Sequence, residues 1–242
     1  MKLRPFVTFT ALLAALLFAV PAIAQPWTTF DSDARYVALG DSISAGYGVT
    51  PATQGFPYLI YQSGVIEKLN NTLFAMMAVP GALSKDVLNY QVPQVKLFLH
   101  ETGTPHRQVV TLLIGGNDMF QILEGADAAV VLNTLGANLF QILGTLKSQI
   151  PNVEIYVGTL YDPRLPVPGE KDLILAANQV IINVVSAFQG ASVFLVDVYS
   201  AFEGRSGLLL IEKHSAGAYE AHPTAAGHRV IADTLAAAIR RR

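Results

Sequence analysis

Three side chains in this sequence, Ser42, Asn117 and His222, are of the types that do polar chemistry, and each stands beside small or turn-forming neighbours. Ser42 follows the apolar run Tyr36-Val37-Ala38-Leu39 and the pair Gly40-Asp41. Gly81 follows Pro80 at the end of a second apolar run, and Asn117 follows Gly115-Gly116 at the end of a third. His222 lies in Glu220-Ala221-His222-Pro223, ahead of an amphipathic stretch. Acyl transfer needs a hydroxyl nucleophile, a base for its proton, and N–H donors where charge grows on the carbonyl oxygen. Ser42 fits the nucleophile and His222 the base, and the backbone N–H groups of Ser42 and Gly81 with the Asn117 amide fit an oxyanion hole. One such donor is worth about 2.7–4 kcal/mol of transition-state stabilisation. Each residue also has a plain structural use. Asn117 suits a turn, Gly81 suits a positive φ, and His228 suits the surface or packing of the last helix. Asp41 and Asp118 read as residues that order their loops, and Ser44 is a competing hydroxyl.

The elements that would position these groups are legible from periodicity. Apolar runs at Tyr36–Leu39, Thr72–Val79 and Val109–Ile114 predict buried strands, Val153–Leu160, which alternates and then runs apolar, predicts a fourth, and Ser192–Val198 reads as a fifth. Helical spacing predicts a helix from about Phe56 to Leu69, a short one with Ser84 as N-cap, and a further stretch from Pro93 to His100. It also predicts helices over Ala126–Gln149 and Lys171–Phe188, and a last one after Thr224 with Ile231, Leu235 and Ile239 on its buried face. The three prolines between Tyr161 and Gly169 predict a loop, and Leu208–Tyr219 is ambiguous. Strands alternating with helices predict an α/β fold, a three-layer α/β/α sandwich around about five parallel strands. In such sheets ligands bind at the carboxyl ends of the strands, where Ser42, Gly81 and Asn117 all fall.

At 242 residues the chain suits one domain, over 25–242. Lys2 and Arg4, the apolar run Phe6–Val20 and the small residues of Ala22-Ile23-Ala24 read as a signal peptide over 1–24, cleaved before Gln25. The run is shorter than the roughly 20 residues of a spanning helix, and no later segment reads as one. The expectation is an exported protein, periplasmic or secreted, with no stable membrane insertion. With no cysteine, disulfides, thiolate metal sites and a Cys nucleophile are excluded. A net charge of −2 and a basic cluster confined to Arg240-Arg241-Arg242 point away from nucleic acid. The five histidines show no metal-binding spacing.

Taken together, Gly40-Asp41-Ser42-Ile43-Ser44, Gly81, Gly115-Gly116-Asn117-Asp118 and the block from His222 to His228 resemble the four motif blocks of the SGNH or GDSL hydrolases, in the family's order. The resemblance runs from about Tyr36 to the carboxyl end. It implies a flavodoxin-like sandwich, hydrolysis of esters by a serine, and no cofactor or metal. In that family the acid that orients the histidine usually lies three residues before it, a position held here by Tyr219. The nearest carboxylate is Glu220, two residues before His222. Some members resemble this shorter spacing, so Glu220 takes the acid's role, with a backbone carbonyl as the alternative.

The loops near these blocks contribute Ile43, Tyr47, Met119, Tyr161 and Leu165, along with Phe56, Phe120 and Val167. This mostly apolar set suits a short- to medium-chain acyl group better than a sugar. The same chemistry serves a lysophospholipase or thioesterase and a carbohydrate deacetylase. A non-catalytic binding module on the same fold is a different class. A nucleotide binder is the poorest reading, because Gly46-Tyr47-Gly48 lacks the glycine spacing of a phosphate loop. Oligomeric state is not legible.

Overall fold

The computed structural model describes residues 34–67, 71–100, 107–150, 152–213 and 220–241. The expected signal peptide over 1–24 lies outside them, as does Tyr219. Five parallel strands, β1 (Ala34–Gly40), β2 (Thr72–Met76), β3 (Arg107–Leu113), β4 (Glu154–Gly158) and β5 (Val193–Val196), form one sheet in the order β2-β1-β3-β4-β5. The helices are α1 (Phe56–Gln62), α2 (Ser84–Asp86), α3 (Val92–His100), α4 (Gly116–Leu123), α5 (Ala128–Gln149), α6 (Glu170–Ser186), α7 (Val198–Phe202) and α8 (Ala225–Arg240). They cover both faces of the sheet, giving the expected three-layer sandwich.

Strand alternation divides the core in two. Val37, Leu39, Val110 and Leu112 face α3, α5 and α6, where Val95, Leu135, Leu139, Ile142 and Ile181 close the layer. Tyr36, Ala38, Val109 and Tyr156 face α1, α7 and α8, against Phe56, Ile60, Phe202, Ile231 and Leu235. A polar pair buried inside the sheet is self-satisfied, Tyr36 Oη lying 2.9 Å from Thr111 Oγ1. At the amino edge, Arg107 makes two 2.8 Å bonds to the carboxylate of Glu154 and donates to the Ile239 carbonyl at the end of α8.

Several sequence expectations are corrected. β2 is shorter than its apolar run and lies at the sheet's edge, with Leu73 exposed, because apolar content alone does not separate an edge strand from a central one. α1 stops at Gln62, with Ser63-Gly64 forming a turn, rather than reaching Leu69. Leu83, not Ser84, occupies the N-cap of α2, its N–H held by Asp86. α2 runs through a π-helical stretch, Val87–Gln91, into α3. α4 and α7 were not expected, the first because its Gly-Gly start reads as loop. α5 is long and apolar enough to cross a membrane, against the expectation that no later segment is, yet its Val131, Leu135, Leu139, Ile142 and Leu146 stripe packs on the sheet.

The π-helical stretch matters because it places Gln91 against the end of β1. Its side chain accepts from Gly40 N at 3.0 Å and donates to Gly40 O at 2.8 Å. Asn178 of α6 holds Leu160, beyond β4, in the same two-bonded way, at 2.7 and 2.8 Å. Both clamps are buried and both fix a strand's exit toward the carboxyl edge. Gly40 O also accepts from Val79 N, so Gln91→Met leaves chiefly the Gly40 N–H without a partner. That loss should lower stability by about 1–3 kcal/mol, read as a lower urea midpoint with the slope unchanged. An unchanged midpoint would show the clamp to be energetically idle.

Candidate active site

β1 ends at Gly40 with a φ of +134°, and a Cβ there would lie 2.0 Å from the Leu113 carbonyl oxygen of β3. Only glycine fits, so the chain can pass close over β3 and turn at once. Asp41 then folds back, its Oδ1 accepting from Ile43 N at 2.9 Å. Ala45 N bonds Asp41 O and Tyr47 N bonds Ser42 O, which makes one tight helical turn with Ser42 at its start. Among the described residues, the Ser42 N–H donates to no other protein group.

The strand order explains how the three groups expected to form an oxyanion hole converge. β2 and β3 flank β1, so the loops carrying Gly81 and Asn117 emerge on either side of Ser42. Gly81 has a φ of +82°, the conformation its plain structural reading expects, with open space where a Cβ would be. Its N–H is also without a protein acceptor among the described residues. Asn117 stands in the first turn of α4 and donates through Nδ2 to Ala82 O at 2.9 Å. An amide carries two N–H bonds, so this one aims the group and leaves the second free. Asp118 anchors the same turn, taking the Ser84 backbone N–H at 3.0 Å and hydroxyl at 2.6 Å.

His222 reaches the edge from 180 residues away in sequence. Its segment is pinned by Leu210 N to His222 O and Thr224 N to Leu208 O, and Thr224 caps α8 behind it. The buried Tyr161 hydroxyl, its ring stacked on Phe202 at 4.5 Å, donates to Ala221 O at 2.6 Å. His222 Nε2 lies 2.8 Å from Ser42 Oγ and Nδ1 lies 2.5 Å from Glu220 Oε1. The same Glu220 oxygen accepts from the His222 backbone N–H at 3.0 Å. At a spacing of two residues, one carboxylate oxygen both closes a local turn and meets the ring. A carboxylate accepts only, so Nδ1 carries the proton and Nε2 is left to receive one from Ser42. A serine so placed can be deprotonated as it attacks a carbonyl carbon.

His228, six residues on, has a different part. It is fully buried, Nδ1 accepts from Phe56 N at 3.3 Å, and Nε2 bonds Tyr47 O at 3.0 Å. Burial pushes its pKa down, and the neutral ring with its proton on Nε2 satisfies both partners. Of the two sequence readings, packing is the one the structure bears out.

Ser42, Gly81, Asn117 and His222 line a cavity of about 280 Å³ together with Ile43, Tyr47, Met119, Phe120, Tyr161 and Leu165. Phe56 does not reach it, being buried in the layer under α8, and Val167 is not among its lining residues. The sequence reading missed Leu123, Leu173 and Ile174, apolar lining residues contributed by the helices α4 and α6. It also missed that two acids on the wall, Asp41 and Glu170, are buried. Among the described residues no group of three His, Asp or Glu side chains converges as a metal site would require.

Burial, with Asp118 nearby, pushes the Asp41 carboxyl up from 3.8 to about 7. The folded protein therefore binds a proton that the unfolded chain releases, and stability falls as pH rises between those two values. A carboxyl moved that far contributes at most roughly 4 kcal/mol. Asp118 and Glu170 are raised too and add to the slope. Asp41→Asn keeps an acceptor for Ile43 N but cannot ionise, so its stability relative to the parent should increase from pH 4 to pH 8 in urea titrations. Parallel profiles would contradict this.

A GDSL-like Lipase/Acylhydrolase family model matches residues 38–230. The search of curated proteins gives no match. Among solved structures, the chain is similar to a lipolytic G-D-S-L family protein from Veillonella parvula, with 17% identity, a TM-score of 0.60 and coverage of 86% of this chain and 100% of that one. It is similar to an extracellular lipase from Streptomyces rimosus, with 24% identity, a TM-score of 0.60 and coverage of 85% and 99%. A third is an acetylxylan esterase from Geobacillus stearothermophilus, with 16% identity, a TM-score of 0.62 and coverage of 85% and 93%. At these identities the structures speak for the fold alone, whereas the family match runs through every block from Ser42 to His222. The chain belongs to the GDSL-like lipase/acylhydrolase family.

Proposed function

We propose that the protein is an exported serine ester hydrolase that works through an acyl-enzyme on short- to medium-chain acyl esters. The observation that carries the reading is the relay from Ser42 Oγ to His222 Nε2 at 2.8 Å and from Nδ1 to Glu220 Oε1 at 2.5 Å, at an apolar cavity. Ser42 Oγ attacks the ester carbonyl as its proton passes to His222. The oxyanion is met by the Ser42 and Gly81 N–H groups and the free Asn117 N–H. His222 then protonates the departing alcohol, and a water activated by the same ring releases the acid and regenerates the serine. Glu220 holds the ring's orientation and offsets its charge while it is protonated.

Met119, Phe120, Leu123 and Leu165 on the cavity wall support an acyl chain over a sugar, and about 280 Å³ is at the small end of ligand pockets. Export rests on the leader over 1–24, so the exported form should begin at Gln25, which its intact mass reports. Retention of the full-length chain would oppose that part.

Hydrolysis of p-nitrophenyl acetate and butyrate tests the mechanism. Ser42→Ala and His222→Ala should each lower kcat by at least about 10⁴-fold, and Glu220→Gln by a smaller factor, on the order of 10²–10⁴. Faster turnover of acetylated sugars than of the acyl series would favour a carbohydrate deacetylase. No turnover by the folded parent protein would favour a binding module.

A further inference from the structure

The imidazole of His222 has two nitrogens and two faces, and the relay to Ser42 and Glu220 occupies only the nitrogens. Tyr47 stands against one face. The two ring centroids are 4.3 Å apart and the planes are tilted by 42°. Coplanar rings meeting edge to edge cannot come so close, and a 42° tilt is far from the perpendicular of an edge-on contact. The imidazole therefore lies over part of the tyrosine's π-face. The backbone fixes this pairing. Tyr47 N donates to Ser42 O at 2.9 Å, and Tyr47 O accepts from His228 Nε2 at 3.0 Å. At Gly48, with a φ of +93°, a Cβ would lie 2.7 Å from the Pro223 carbonyl oxygen and 3.4 Å from His222 Cβ, so glycine lets the loop approach the histidine segment. Among the described residues, the Tyr47 hydroxyl has no hydrogen-bond partner.

His222 carries protons on both nitrogens for part of each half-reaction. It takes one from Ser42 and gives it to the departing alcohol, then takes one from water and returns it to Ser42. A cation over a tyrosine is attracted by the negative face of the ring's quadrupole, and the neutral imidazole gains much less. The contact is therefore stronger in the transition states than in the resting enzyme, which is the condition for speeding a reaction. We propose that Tyr47 is a positioning residue that acts through His222, its π-face holding the imidazole and stabilising the imidazolium as it forms. The inference rests on the ester-hydrolase reading and gives Tyr47 a part beyond lining the cavity.

The His222 side chain is 23% exposed and Tyr47 is 53% exposed, so the contact is only partly screened by water. Tyr47→Leu should lower kcat for p-nitrophenyl butyrate by about threefold to tenfold, the scale of such a cation–π contact, with KM unchanged. Tyr47→Phe keeps the ring and should restore most of that loss. Because Tyr47 also lines the cavity, a second readout separates charge from packing. Phenylalanines carrying one, two and three ring fluorines, placed at position 47, keep the ring's shape while draining its π-face stepwise. With each fluorine kcat should fall, toward the leucine value. The fluorinated series decides the matter even where the leucine variant fails to fold. A flat series, or a loss expressed in KM alone, would overturn the inference and leave the esterase reading intact. No turnover by the folded parent protein would overturn both.

Discussion

Gly40 and the carbonyl of Leu113 approach so closely that no side chain could stand between them, and that contact sets the geometry of the carboxyl edge. β1 is central in the sheet, bonded on both sides, and it stops where the backbone takes a positive φ that glycine alone tolerates. Gln91 holds both polar groups of that residue from the helical layer, so the exit direction is fixed by two buried hydrogen bonds as well as by sterics. The turn that follows is closed locally by Asp41, and Ser42 has little freedom left. Preorganisation of this kind matters because an oxyanion donor displaced from its aim loses most of its worth.

The histidine is positioned by independent means, through a chain of contacts reaching it from the opposite layer. α8 packs against α1 and against β4 and β5, its cap joins Gly207 through Thr224 Oγ1, and Leu208 and Leu210 pair with the segment around Pro223. Tyr161 ties the β4 exit to Ala221, so the loop that walls the cavity and the loop that bears the base share one hydrogen bond. Asn178 fixes Leu160 just before Tyr161, as Gln91 fixes Gly40 just before Ser42. Ser42 thus stands at one strand exit held by a buried amide, the segment bearing His222 is tied through Tyr161 to another, and the two side chains meet at 2.8 Å.

What the sequence disclosed depended on whether the signal was local. β1, β3, α5 and the cap of α8 were legible because continuous apolar runs, four-residue spacing and a Thr before small residues are properties of a few neighbouring positions. Ser42, Asn117 and His222 were legible because each follows a strand exit or precedes a helix. α4 was missed because Gly115-Gly116 looks like a loop, although a glycine with positive φ can precede a helix as well as end a strand. Glu220 looked irregular by family spacing, and only the folded turn shows one oxygen serving both the backbone and the ring of His222. Gln91 and Asn178 left no mark in periodicity, since a buried polar contact between distant residues has no sequence pattern of its own.

The central claim is that Ser42 is activated by His222, and a fluorophosphonate tests it with no assumption about substrate, because only an activated serine displaces the fluoride quickly. Labelling of the folded chain followed by peptide mass analysis should place one adduct on the peptide containing Ser42, and His222→Ala should slow its formation by orders of magnitude while the protein stays folded. A folded protein that takes no label, or takes it equally fast without His222, would contradict the account.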